Sequence, residues 1–237
     1  MANQFVCSLL LLIAATSTYA QITPTIGIVG GVAAASGTRS YVVSVKDSGG
    51  SILCGAVLYN DVTVITTASC LVFLPLGNFL VGVNNGTKSI QIVANISNPD
   101  FDSDTNEHDV ALLKLAESVS AEYVELPSNK PVTGSTGVLT GWDANNILVD
   151  VSETIIAADD CVSGNYGYDV DEVFASNVCG LAKNKACNAI GGVPLVSNNQ
   201  LVGLLSWGNA CANDDNPAVF SNIFAEKSWI ESNVNNL

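Results

Sequence analysis

The sequence predicts a mainly β fold closed by one C-terminal helix. Short runs rich in β-branched and aliphatic residues, Tyr41-Val42-Val43-Ser44-Val45, Val62-Thr63-Val64-Ile65-Thr66-Thr67 and Gln200-Leu201-Val202-Gly203-Leu204-Leu205, are separated by clusters of Gly, Asn and Ser. This is the pattern of strands punctuated by turns. The helix is predicted over Phe224 to Val234, where Ile230 and Val234 stand at i and i+4 and would pack as a terminal lid. Pro127 and Pro131 interrupt the strand signals, which places a crossing between two β halves near residues 126–134. No fixed-period repeat or low-complexity tract intervenes.

At the N-terminus, Met1 to Ala20 contain no charged residue and hold the apolar run Leu9 to Ala15 before Thr18-Tyr19-Ala20. That is the form of a secretory signal peptide, and the run is far short of the ~20 residues that span a bilayer. All 22 acidic and 8 basic residues therefore lie in the mature chain, which carries a net charge of -14. Such a field repels polyanions and excludes nucleic acid and anionic membrane as partners, while a basic protein surface stays compatible with it.

Seven cysteines become six once Cys7 is assigned to the leader. In the oxidising secretory route an even set reads as three disulfides, and spacing alone leaves the connectivity open. With a single histidine and no CxxC pair, no metal site is expected, and no cofactor is implied. Two sequons, Asn85-Gly86-Thr87 and Asn95-Ile96-Ser97, are candidate N-glycosylation sites.

From Ile28 onward the chain reads Ile28-Val29-Gly30-Gly31, Cys54-Gly55-Ala56, Thr67-Ala68-Ser69-Cys70 and Asp109-Val110-Ala111-Leu112-Leu113. It continues with Thr140-Gly141-Trp142, the stretch Cys187 to Val196, Val202-Gly203-Leu204-Leu205-Ser206-Trp207-Gly208 and Pro217-Ala218-Val219-Phe220. These blocks resemble, in order, those of the chymotrypsin and trypsin-like serine proteases. The resemblance implies two six-stranded antiparallel β-barrels with a C-terminal helix, a peptidase-type domain over residues 28–237 and a short propeptide-like segment at 21–27. It also implies the disulfides Cys54–Cys70, Cys161–Cys179 and Cys187–Cys211.

The departures from the pattern carry the functional reading. Ser69 stands where the resemblance implies the histidine base, and a hydroxyl cannot take a proton near neutral pH as an imidazole can. Aligning Cys187 and Pro194 on the nucleophile block places Gly191 at the serine. Asp109 keeps the third triad position, where the resemblance implies an aspartate that orients an imidazole. Without one, Asp109 is expected to accept hydrogen bonds from Ser69 or Ser206, because a buried carboxylate needs partners. His108 adjoins Asp109 in sequence, so its side chain is expected to point away, into a surface loop.

Ile190 replaces the aspartate that would receive a freed N-terminus. Insertion of Ile28 is therefore expected to gain little, and a zymogen-like arrangement is expected. Around the substrate cleft implied by the resemblance, Lys185 lies at the pocket floor and Ala218 at its wall. Ser206, Trp207 and Gly208 form the edge that pairs with a peptide.

The sequence thus predicts a secreted, monomeric serine protease homologue that is not an enzyme and acts by binding a protein partner. Its pattern of triad loss resembles that of inactivated protease paralogues of parasitic mites. The competing expectation is a serine-type endopeptidase with residual activity.

Overall fold

The computed structural model describes residues 27–72, 79–182, 190–208 and 216–237. Within them two six-stranded antiparallel barrels stand side by side. The first takes β2 (Val42–Lys46), β3 (Ile52–Leu58), β4 (Thr63–Thr66), β5 (Leu80–Val83), β6 (Lys88–Ser97) and β7 (Ala111–Leu115). They close in the order β2-β3-β4-β7-β6-β5. The second takes β8 (Thr136–Trp142), β9 (Leu148–Ala157), β10 (Asn177–Ala182), β11 (Pro194–Ser197), β12 (Gln200–Trp207) and β13 (Ala218–Asn222). Its order β9-β10-β13-β12-β11-β8 closes through the β8–β9 hairpin, and the short β1 (Val32–Ala33) adds to β9. Residues 116–135 connect β7 to β8.

Local chemistry explains the turns. The Asn60 side chain accepts the backbone N–H groups of Val62 and Thr63 at 3.0 and 2.7 Å, which ends β3 and starts the β-branched β4. Asp143 plays the same part between β8 and β9, accepting from Asn145 and Ile147 at 2.8 Å each. The helix α3 (Ile223–Asn233) is capped by Asn222, whose side chain accepts from the Phe224 N–H at 3.2 Å. Its inward stripe is Ile223, Glu226 and Ile230. Val234, expected inside the helix, is its C-cap. The middle position of that stripe is a carboxyl group, which the apolar period does not reveal.

The largest core cluster joins Val57, Ile65, Val110 and Leu112 of the first barrel to Leu195, Leu204 and Phe220 of the second. The barrels therefore share one apolar interior. Contact is closest at glycine. A Cβ at Gly55 would meet the Val193 backbone nitrogen at 2.7 Å, and one at Gly192 would meet the Gly55 carbonyl oxygen at 2.2 Å. Disulfides join Cys54 to Cys70 and Cys161 to Cys179, bonds that persist in oxidising compartments. Cys187 and Cys211 lie outside the described residues.

Candidate functional site

The seam between the barrels gathers four positions singled out in the sequence. Ser69 sits on the one-turn helix α1 (Ala68–Val72), and Asp109 lies just before β7. Ser206 lies at a bulge in β12, where the register to β13 shifts between Leu205 and Trp207. Gly191 precedes β11 and is pinned from both sides: its carbonyl accepts from Gly55 N–H at 2.8 Å, and the next amide, Gly192, donates to Leu205 at 2.7 Å.

Asp109 is fully buried. One carboxyl oxygen accepts the Ser69 backbone N–H at 2.6 Å, and the other accepts the hydroxyls of Ser69 at 2.8 Å and Ser206 at 2.5 Å. Its main-chain carbonyl accepts the Ser221 hydroxyl at 2.5 Å. Burial pushes the carboxyl pKa above its ordinary value, and the hydrogen bonds from Ser206 and Ser69 offset this in part. No cation faces it among its hydrogen-bond partners. Two neutral hydroxyls share one carboxyl oxygen and a backbone N–H fills the other, where an aspartate would orient an imidazole.

The chain's single histidine faces elsewhere. His108 adopts φ 52°, a left-handed conformation, and its Nδ1 lies 2.9 Å from Glu226 Oε1 on α3. Asn98 donates to the other Glu226 oxygen at 2.7 Å. Burial raises the Glu226 pKa, and the contact with His108 opposes that rise. His108 lies in a turn, as expected, and its side chain also ties the first barrel to the C-terminal helix. The φ above zero turns it away from Asp109, and the buried acid supplies its partner.

Gly191 has no side chain, and among the described residues a Cβ built there would meet only the Leu205 carbonyl oxygen, at 3.8 Å. Beside it, Ile190 and Ile28 are 3% and 2% exposed and belong to the same core cluster. Ile28 N–H donates to the Trp142 carbonyl at 2.7 Å. The expectation concerned the ammonium of a cut chain; in the uncut chain Ile28 is buried. What is buried is an amide within an uncut peptide, so one carbonyl satisfies it and no counter-charge is needed. The Ile28 side chain reaches the Gly141 position that a Cβ would fill, within 2.9 Å.

On the cleft side, Trp207 packs edge-on against Tyr168 with ring centroids 5.4 Å apart. A Cβ at Gly208 would approach the Ala218 Cα to 3.2 Å, so these two backbone segments are in contact. Lys185, expected at the pocket floor, lies outside the described residues. Among the described residues no cluster of His, Cys, Asp or Glu is arranged to hold a metal ion. No described helix is long and apolar enough to cross a membrane.

A second buried acid escaped the motif reading. Glu153 on β9 is 2% exposed, and its Oε2 has no hydrogen-bond partner among the described residues. Burial raises its pKa to about 8. Gly180 on the neighbouring β10 leaves it room, since a Cβ there would lie 2.9 Å from that oxygen. The signal was present in the alternation Val149, Val151, Glu153, Ile155, which puts Glu153 on the inward face.

Comparison with known proteins agrees with the barrels and the seam between them. The family model described as Trypsin matches residues 28–230. Trypsin theta of Drosophila melanogaster is 37% identical over 224 residues, covering 86% of this chain and 84% of the fly protein. A trypsin of Sarcophaga bullata is 31% identical over 231 residues, covering 89% and 90% of the two chains.

Proposed function

Because the chain belongs to the trypsin-like serine protease family, we propose that it is a secreted member that has kept the scaffold without the chemistry and acts by binding a protein partner. The observation that carries this reading is the filled carboxyl of Asp109. The hydroxyls of Ser69 and Ser206 share one of its oxygens and the Ser69 backbone N–H takes the other, while the only histidine in the chain is held on Glu226. Acyl transfer by this family's route needs a nucleophile, a base in hydrogen-bond reach of it and a group orienting that base. Of the three, this chain supplies the orienting group alone.

Removing a single triad member from an active serine protease leaves roughly 10³ to 10⁴ over the uncatalysed rate, through the oxyanion hole and substrate binding. Here the base and nucleophile positions are both replaced. Binding energy that no longer serves a transition state is free to serve a complex, and the loops around the barrels are where such contacts form. The charge of -14 directs the choice of partner toward basic protein surfaces, with association that weakens as salt rises.

The opposing reading, a serine-type endopeptidase with residual activity, draws on the similarity to fly trypsins. Incubation of purified protein with a mixed peptide library separates the two. Absence of cleavage products agrees with the proposal. Cleavage that disappears on changing a residue of this chain contradicts it.

A further inference from the structure

We propose that Asn85 carries an N-linked glycan and that the second sequon, at Asn95, stays unmodified; the inference rests on the secretory reading above. Asn85 is exposed in the turn between β5 and β6. Asn84, Asn85 and Gly86 have φ of 53°, 58° and 79°, a left-handed run that Asn and Gly adopt most readily. The turn is held without the Asn85 carboxamide. Gly86 N–H donates to Val83 at 3.0 Å, and Thr87 donates to the Asn84 carbonyl through its N–H at 3.3 Å and its hydroxyl at 2.8 Å. No hydrogen bond among the described residues uses the Asn85 side chain, so its amide is left to solvent.

Surroundings favour a sugar there. Asn85 borders a groove of about 520 Å³ whose far wall includes Ala34, Ala35 and Ile147. Ile147 is 51% exposed. A glycan stem leaving Asn85 would lie at the mouth of that groove and cover apolar surface with a bulky, solubilising group.

Asn95 differs in each respect. It lies within β6, its backbone paired with Leu113 of β7 in the closed barrel, and it is half-buried. The adjacent Ile96 packs against the shared core. A glycan at that position would have to emerge from a packed strand, where polar groups without partners are costly.

The transfer is redox-neutral. The Asn85 Nδ2 attacks the anomeric carbon of a lipid-pyrophosphate-linked oligosaccharide supplied by the secretory route, forming the N–C bond. The anomeric C–O bond breaks, the lipid pyrophosphate leaves with the electron pair, and one Nδ2 proton passes to solvent.

The test is secretion of the full chain from insect cells, with intact mass measured before and after peptide N-glycosidase. The expected result is loss of one glycan mass, complete absence of that loss in N85Q and its retention in N95Q. A secreted protein with no mass loss, or with a loss that survives N85Q, overturns the assignment. If the full chain stays inside the cell with its leader uncut, the secretory reading fails. Residues 21–237 behind a foreign leader then test Asn85 separately, with the same two variants and the same criteria.

Discussion

Gly191 and Gly192 are adjacent, and the structure gives them opposite tolerances. At Gly191 a Cβ would meet no atom of the described residues nearer than 3.8 Å, and no left-handed φ strains it. Gly191→Ser is expected to change stability by no more than about 0.5 kcal/mol. At Gly192, φ is 79° and a Cβ would stand 2.2 Å from the Gly55 carbonyl oxygen, so Gly192→Ala is expected to cost about 1–3 kcal/mol. Urea unfolding of both variants checks the pair, and equal effects would contradict the geometry. Glu153 makes a pH prediction. Its pKa rises from an ordinary 4.5 to about 8, so between those values the folded state holds a proton that the unfolded chain has lost. Stability therefore falls as pH rises through that window, by about 1.4 kcal/mol per pH unit at most, and levels off above it. Asp109 and Glu226, both shifted upward by burial, push in the same direction. Glu153→Gln removes the titrating group, and denaturation curves across the window should show a flatter decline than the unaltered protein. An unchanged slope would mean that Glu153 is not the buried acid described.

At the scale of elements, α3 is held by a polar clasp as well as by apolar packing. Glu226 accepts from Asn98 and pairs with His108, drawing residues of the first barrel onto a helix that follows the second. Replacing Glu226 by Ala would leave the Asn98 amide and the His108 ring without their buried partner. The expected cost is about 1–3 kcal/mol, with faster amide exchange in α3 than in the barrel strands. Exchange in α3 that matches the unaltered protein would refute the clasp. The helix itself was legible from Ile230 and its neighbours, and the strands from β-branched runs bounded by turn residues. The clasp was not. A glutamate three residues after Ile223 reads as an exposed position until the fold shows which face is inward. His108 reads as a loop residue until its partner, 118 positions away, is brought to it. In β9, the inward phase of Glu153 was legible, but sequence alone could not show that Gly180 on the next strand makes room for it.

At the scale of the whole molecule, motif order carried more information than periodicity. The blocks from Ile28 to Phe220 pointed to paired barrels, and the barrels are present. The seam between them joins Ser69 and Ser206 to Asp109 by hydrogen bonds and holds Gly191 against Gly55, all from separate segments. Long-range assembly of this kind is invisible to local pattern, and resemblance to a known arrangement was its only source in the sequence. The charge argument made for Ile28 concerns the ammonium of a cut chain, whereas in the uncut chain the group is an amide, neutral and satisfied by Trp142. Cross-linking also acts on the whole chain. The Cys54–Cys70 and Cys161–Cys179 bonds are each expected to contribute about 2–4 kcal/mol by restricting the unfolded state. Unfolding of the Cys54→Ala, Cys70→Ala double variant measures the first of these, and a loss well under 1 kcal/mol would contradict it.

The central claim is that the scaffold persists without its chemistry, and its most direct test is labelling by a fluorophosphonate probe, with an active trypsin as control. The account predicts no label on the chain, either full-length or cut before Ile28. Stoichiometric label on the folded protein, mapped to one serine and abolished by replacing it, would show a working nucleophile and contradict the account.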